Sequence, residues 1–246
     1  MKIAIIGNSH VASLKSGWDY FCSQNESNAS SAEITYFAAA GRLLWDLEVE
    51  STVGDSADVL SSKNNKLNAA LEYSSGGIAK IDLTQYDCCV LHGLMRFPRY
   101  DLRISEQLKS IVLKRLVTNS LANHVATSIR SFSDIPLYIT PKPLLVWSNS
   151  DYLSKNHTYK SYQDTFDDVL NTKFAKNIHM IPQPHETIQN EISTPDKYAK
   201  NSTRMRVFEN AGNEARIVSD IAHMNEQYGL LQLEKLGLLN IQIAAA

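Results

Sequence analysis

No stretch of this 246-residue chain approaches the ~18 consecutive apolar residues that would cross a bilayer. Positive charge is not concentrated either. Lys and Arg total 24 against 26 Asp and Glu, for a formal net charge of −2, and no long basic block stands out. Backbone binding to nucleic acid replaces counterions with clustered Lys and Arg, so no nucleic-acid partner is expected. Cysteine is scarce. Cys22, Cys88 and Cys89 offer neither metal-ligand spacing nor a disulfide framework, and the adjacent pair in an apolar run reads as buried thiols. A dinucleotide loop is missing too, since GNSHVAS lacks the G-x-G-x-x-G glycines that let a backbone crowd a pyrophosphate. The first strand pattern starts at residue 3 with no basic region, apolar signal core or cleavage site before it. That sets the expectation of a cytoplasmic location. One His-Glu pair, His185-Glu186, lacks further ligands at useful spacing, so neither a metal nor a cofactor is expected.

What is present is an ordinary globular mixture, 43% apolar and 20% charged, long enough to bury a substantial core. Apolar runs mark five strands, at Ile3–Ile6, Glu33–Ala38, Asp87–Leu91, Pro136–Thr140 and Asn177–Ile181. Helical patterns fall between them, over Lys15–Cys22, across residues 103–126, over Thr165–Phe174 and, most clearly, over Asn225–Leu239. Near-continuous apolar strands alternating with helices predict an α/β fold with a mostly parallel sheet. With no linker and no repeat, residues 1–246 read as one domain. Residues 46–77, with one short helix around Leu67–Tyr73, and 183–219 read as irregular insertions, and 148–162 as a polar loop.

In a parallel sheet, ligands gather beyond the C-terminal strand ends. The first strand is followed by Gly7-Asn8-Ser9-His10, the second by Gly41-Arg42, and the third by His92, Gly93 and Arg96. Asp220 and His223 precede the last helix at a spacing that lets a carboxylate reach the near ring nitrogen while the far one faces a serine. A serine nucleophile needs such a base, and the base needs a third group to fix its tautomer. The N–H groups of Ser9 and Gly41, with the Asn8 side-chain amide, are candidate donors to a developing oxyanion. Each residue also has a plainer role. Ser9 would cap the first helix, and Asp220–His223 would simply open the last one. His10 is either a substrate contact or structural. His92 either lines a cleft or packs with a satisfied hydrogen bond. Arg42, Arg96 and Arg99 either meet an anionic substrate or are solvated charge. His185 lies after the last strand, on the side where substrate would contact it. Trp18, Trp45 and Trp147 are core or cleft-wall residues.

These blocks, in this order, resemble the SGNH hydrolase superfamily of GDSL-like esterases and lipases. Gly7-Asn8-Ser9 is similar to its Gly-Asp-Ser nucleophile motif, with Asn in place of Asp. Asp220-Ile-Ala-His223, followed by Asn225 and Tyr228-Gly229, is similar to its last block, and Gly41 falls at its second-block glycine. Gly93-Leu94-Met95-Arg96 keeps the third-block glycine but not the oxyanion-hole Asn. The resemblance implies a flavodoxin-like three-layer α/β/α sandwich with a mostly parallel five-stranded sheet. It implies acyl transfer from an ester, with Ser9, Asp220 and His223 catalytic. The expected activity is a serine esterase removing a small, acetyl-like group from a saccharide or other small-molecule substrate. The alternatives are an O-acetyltransferase of surface-polysaccharide assembly and a non-catalytic binding protein on the same fold.

Overall fold

Strand β1, Lys2–Gly7, is buried along its whole apolar run, Ile3 to Ile6. Such a strand needs a neighbour on both edges and a layer on both faces, and it has them. It pairs in parallel with β2 (Glu33–Ala38) on one side and β6 (Cys88–His92) on the other. Beyond β6 lie β7 (Leu137–Thr140) and β8 (Ile178–Met180), also parallel, giving the order β2-β1-β6-β7-β8. This computed structural model describes residues 1–25, 32–50, 59–97, 105–146, 159–173, 177–205 and 220–239. Arg99 and Trp147 lie outside the described residues.

Alternating side chains of β1 divide the core. Ile3 and Ile5 face the layer of α1 (Val11–Gln24) and α6 (Glu226–Lys235), packing with Val11, Leu14 and Leu233. Ala4 and Ile6 face the opposite layer. There Leu71 of α2 (Asn65–Ser75), Val117 of α3 (Glu106–Thr118), Ile129 of α4 (Leu121–Arg130) and Phe166 of α5 (Tyr159–Lys173) complete a three-layer α/β/α sandwich.

Several elements depart from the expectations. The single helical stretch over 103–126 is two helices, because Ser120 leaves helical geometry and accepts the Asn123 N–H as a new N-cap. Helix α5 begins at Tyr159, inside the stretch read as a polar loop, and buried Phe166 and Leu170 anchor it where composition does not. The region 46–77 is less irregular than expected. It holds α2 and, in the short strands β3 (Glu48–Val49) and β4 (Val59–Ser61), most of a three-stranded antiparallel sheet closed by β5 (Ile81–Asp82). The described part of 183–219 is built from single 3-10 turns at His185–Thr187 and Asp196–Tyr198.

Helices α1 and α6 approach each other closely. A Cβ on Gly17 would lie 2.5 Å from the Leu230 nitrogen, and one on Gly229 would overlap the Ser13 carbonyl. Two helices at this separation need glycine on both sides of the contact. The contact fixes the last helix against the first, and so fixes the residues just before each.

Candidate active site

The direction of the strand order reverses between β1 and β6, which opens a crevice at their C-terminal ends. Ser9 sits there, exposed on the turn between β1 and α1. It does not cap α1. The N-cap position is His10, which makes no side-chain cap, and the Ser9 hydroxyl instead lies 2.9 Å from Nε2 of His223. Nδ1 of His223 lies 2.8 Å and 3.0 Å from the two carboxylate oxygens of Asp220. An ionised carboxylate only accepts, so Nδ1 carries the ring proton and Nε2 is left to accept from the Ser9 O–H. Asp220 does not cap α6 either. It accepts the Ala222 N–H at 3.0 Å, a local turn that holds the carboxylate beside the ring.

The segment carrying His223 is pinned from both sides. The cap of α6 is Asn225, which accepts the Tyr228 N–H and donates to the Lys197 and Lys200 carbonyls at 2.8 Å and 2.9 Å. Upstream, the Val146 N–H donates to the Ile221 carbonyl. The ring of buried His10 stacks on His223 at 4.7 Å between centroids and 17° between planes.

Asn8 ties the two central loops together. Its Nδ2 donates to the Gly93 carbonyl at 2.8 Å and its Oδ1 accepts the His10 N–H at 3.1 Å. One amide hydrogen is thus committed to the loop after β6. Gly93 has φ +73°, and a Cβ there would come within 2.8 Å of Asn8 Oδ1 and 3.0 Å of His10 Cβ. Glycine is therefore required by both its backbone and its neighbours. Among the described residues, the N–H groups of Ser9 and Gly41 make no hydrogen bond.

A cleft of about 830 Å³ opens over these groups, lined by Asn8, Ser9, His10, Gly41, Gly93 and His223. Arg42 and Arg96 also line it. Two expected contacts lie elsewhere. His92 is wholly buried beneath the cleft, its Nδ1 2.6 Å from the Thr140 hydroxyl. Burial drives its pKa down to about 4, with the His10 backbone acting in the opposite sense. His185 is exposed on its 3-10 turn and is not among the lining residues. The cleft also takes in Trp45, Leu116, Asn119 and Lys142, which no motif singled out as a group. The Asn119-Ser120 helix break was the one local signal that chain turns there.

Among the described residues, no helix is long and apolar enough to cross a membrane, and no group of three His, Cys, Asp or Glu is placed to hold a metal ion.

The sequence matches no family model and no curated protein significantly. Among solved structures, the chain is similar to the periplasmic domain of a lipopolysaccharide acetyltransferase from Salmonella ser. Paratyphi A. Identity there is 12%, coverage is 96% of this chain and 82% of that one, and the TM-score is 0.46. It is also similar to a carbohydrate acetylesterase family member from Sinorhizobium meliloti, with 10% identity, 96% and 95% coverage, and a TM-score of 0.41. A third is a salicylyl-acyltransferase from a tetracycline biosynthetic pathway, with 11% identity, 96% and 52% coverage, and a TM-score of 0.40. At these scores the likeness carries no reading of activity, which rests on the cleft itself. The expected cytoplasmic location is withdrawn, because one of these similar structures is a periplasmic domain. That expectation rested on the residues before the first strand, and where a sequence begins does not decide a location.

Proposed function

We propose that this protein, as one SGNH-hydrolase-like domain over residues 1–246, is a serine-dependent acyl-ester enzyme. Its expected substrate is an ester of carbohydrate type bearing a small acyl group. The observation that carries the reading is the continuous contact Ser9 Oγ, His223 Nε2, His223 Nδ1, Asp220, at 2.9 Å and 2.8 Å, opening into the cleft. Nucleophile and base at this distance need no rearrangement for proton transfer.

In the proposed reaction, the Ser9 oxygen bonds to the ester carbonyl carbon as its proton passes to His223 Nε2. Asp220 holds the ring and stabilises the imidazolium. The carbonyl oxygen gains negative charge and takes hydrogen bonds from the Ser9 and Gly41 N–H groups, with the second Asn8 amide hydrogen as a third donor. One such donor is worth about 3 kcal/mol in the transition state. The bond to the alcohol then breaks and the alcohol leaves with the proton from His223. Water, deprotonated by the same ring, attacks the acyl-serine, and the acyl bond to Ser9 Oγ breaks as His223 returns that proton to the serine oxygen, releasing the carboxylic acid.

A second reading has a sugar hydroxyl in place of water as the acceptor. The size of the cleft favours keeping it, because about 830 Å³ exceeds what a single acetylated sugar ring needs. The two are separated by comparing products with and without a sugar acceptor.

The test of the shared step is a fluorophosphonate probe read by intact mass. One adduct at Ser9, absent in Ser9→Ala and slowed in His223→Ala, is the expected result. No adduct with this probe or with a smaller acylating reagent, on folded protein, refutes the reading and leaves a binding protein.

A further inference from the structure

Resting on the reading of the cleft as an ester site, we propose that its substrate carries a fixed negative charge, held by Arg42 and Arg96. The chain as a whole is slightly acidic, with 26 carboxylates against 24 basic residues. The cleft reverses that balance. Arg42, Arg96 and Lys142 line it, and no Asp or Glu does so among the described residues.

Some basic side chains elsewhere have found carboxylates. Lys15, Lys80 and Lys200 each lie 2.8 Å from one, at Asp19, Glu50 and Asp196. Arg42 and Arg96 form no ion pair and no hydrogen bond among the described residues. They come from different loops, after β2 and after β6, and both line the cleft that Ser9 opens into. Guanidinium groups bind carboxylates and phosphates with two parallel hydrogen bonds, so unpaired arginines in a cleft suit an anion better than a neutral hydroxyl.

Trp45 narrows the class further. It lies three residues after Arg42, lines the same cleft and leaves 46% of its surface exposed. The indole packs against the His124 ring, 5.0 Å between centroids, and a half-exposed indole and guanidinium groups lining one cleft match a ring with an apolar face and a charged substituent. The substrate class is therefore an acylated acidic sugar, with the charge supplied by a carboxylate or a phosphate.

Binding to Ser9→Ala protein tests this without turnover. The probes are O-acetylated galacturonic acid, its neutral methyl ester, and O-acetylated galactose 6-phosphate, each followed by calorimetry. At least one charged probe is expected to bind about ten- to a hundredfold tighter than the methyl ester, the range of one or two charge-assisted hydrogen bonds. Which charged probe gains more identifies the source of the charge. The preference is expected to shrink at high salt and to vanish when Arg42→Gln and Arg96→Gln are added together, with circular dichroism confirming the fold. Binding of both charged probes no tighter than the methyl ester, no binding at all, or a preference that survives both arginine changes overturns the proposal. The fluorophosphonate result on the parent protein is independent of these outcomes. An inert Ser9 with an intact charge preference defeats the esterase reading alone, and a reactive Ser9 with no preference defeats this one alone.

Discussion

Replacing Asp220 with Asn tests the relay with almost no change in shape. Among the described residues, two donors point at the Asp220 carboxylate, the Ala222 N–H at 3.0 Å and the His223 Nδ1–H at 2.8 Å. An amide has one accepting end. If its oxygen keeps the Ala222 N–H, its NH2 faces Nδ1 at 2.8 Å, and two donors cannot share that contact. The imidazole then gives up its Nδ1 proton and carries the proton on Nε2. In that tautomer the ring donates to the Ser9 oxygen and can no longer take its proton. A change of this kind lowers kcat by about 10⁴ in serine proteases, or about 5 kcal/mol of transition-state stabilisation. Global stability should change by only about 1 kcal/mol, the scale of one hydrogen bond. The assay is the second-order rate of fluorophosphonate adduct formation, with urea unfolding as the control. A labelling rate within about tenfold of the parent, on protein of unchanged stability, refutes the claim that Asp220 sets the tautomer of His223.

Three further outcomes follow from the packing. Gly229→Ala should gain about 1 kcal/mol of helix propensity and lose more by forcing α6 off the Ser13 carbonyl, since overpacking costs about 1–3 kcal/mol. Urea unfolding reads the net loss, and slower Ser9 labelling reads the displaced His223. Gly93→Ala should lose about 2–4 kcal/mol, because the left-handed backbone and the Asn8 and His10 contacts are strained together. Thermal unfolding reads this directly, and a shift under 1 °C would contradict it. His92 supplies a pH dependence. Its folded pKa of about 4 lies below the ordinary 6.5, so the unfolded chain takes up the proton first. Stability should be fully present above about pH 6.5 and fall as pH drops toward 4, by roughly 3 kcal/mol from this group. Urea titrations across that range, compared with His92→Gln, should show a shallower acid limb in the variant.

The main sheet was legible because a strand covered on both faces has no alternative composition. Ile3–Ile6 and Cys88–Leu91 are apolar at every position. The small sheet was not, because strands of two and three residues carry no period. The start of α5, residues 159–164, hid for a different reason. The polar residues that follow buried Tyr159 resemble a loop, whereas Phe166 and Leu170 fall within the helix the sequence predicts. At the site, the residues that follow β1 and β2 and precede α6 could be listed from strand ends alone. Depth could not. His92 and Gly93 are neighbours in the chain, yet one is wholly buried and the other lines the cleft. Trp45, Leu116 and Lys142 reach the cleft from three different loops or helices, and no spacing in the chain brings them together.

Ser9 and His223 are 214 residues apart in the chain. At about 5–20 residues per second, a ribosome makes the hydroxyl roughly 10–40 s before its base. Through that interval the serine is an ordinary alcohol. On the proposed reading it can become a nucleophile only when α6 seats Gly229 against Ser13, a contact that waits for residue 229 to be made. Reactivity, on that reading, is thus withheld until the segment from Asp220 through α6 has been made, and a chain released before it would carry Ser9 with no base to activate it.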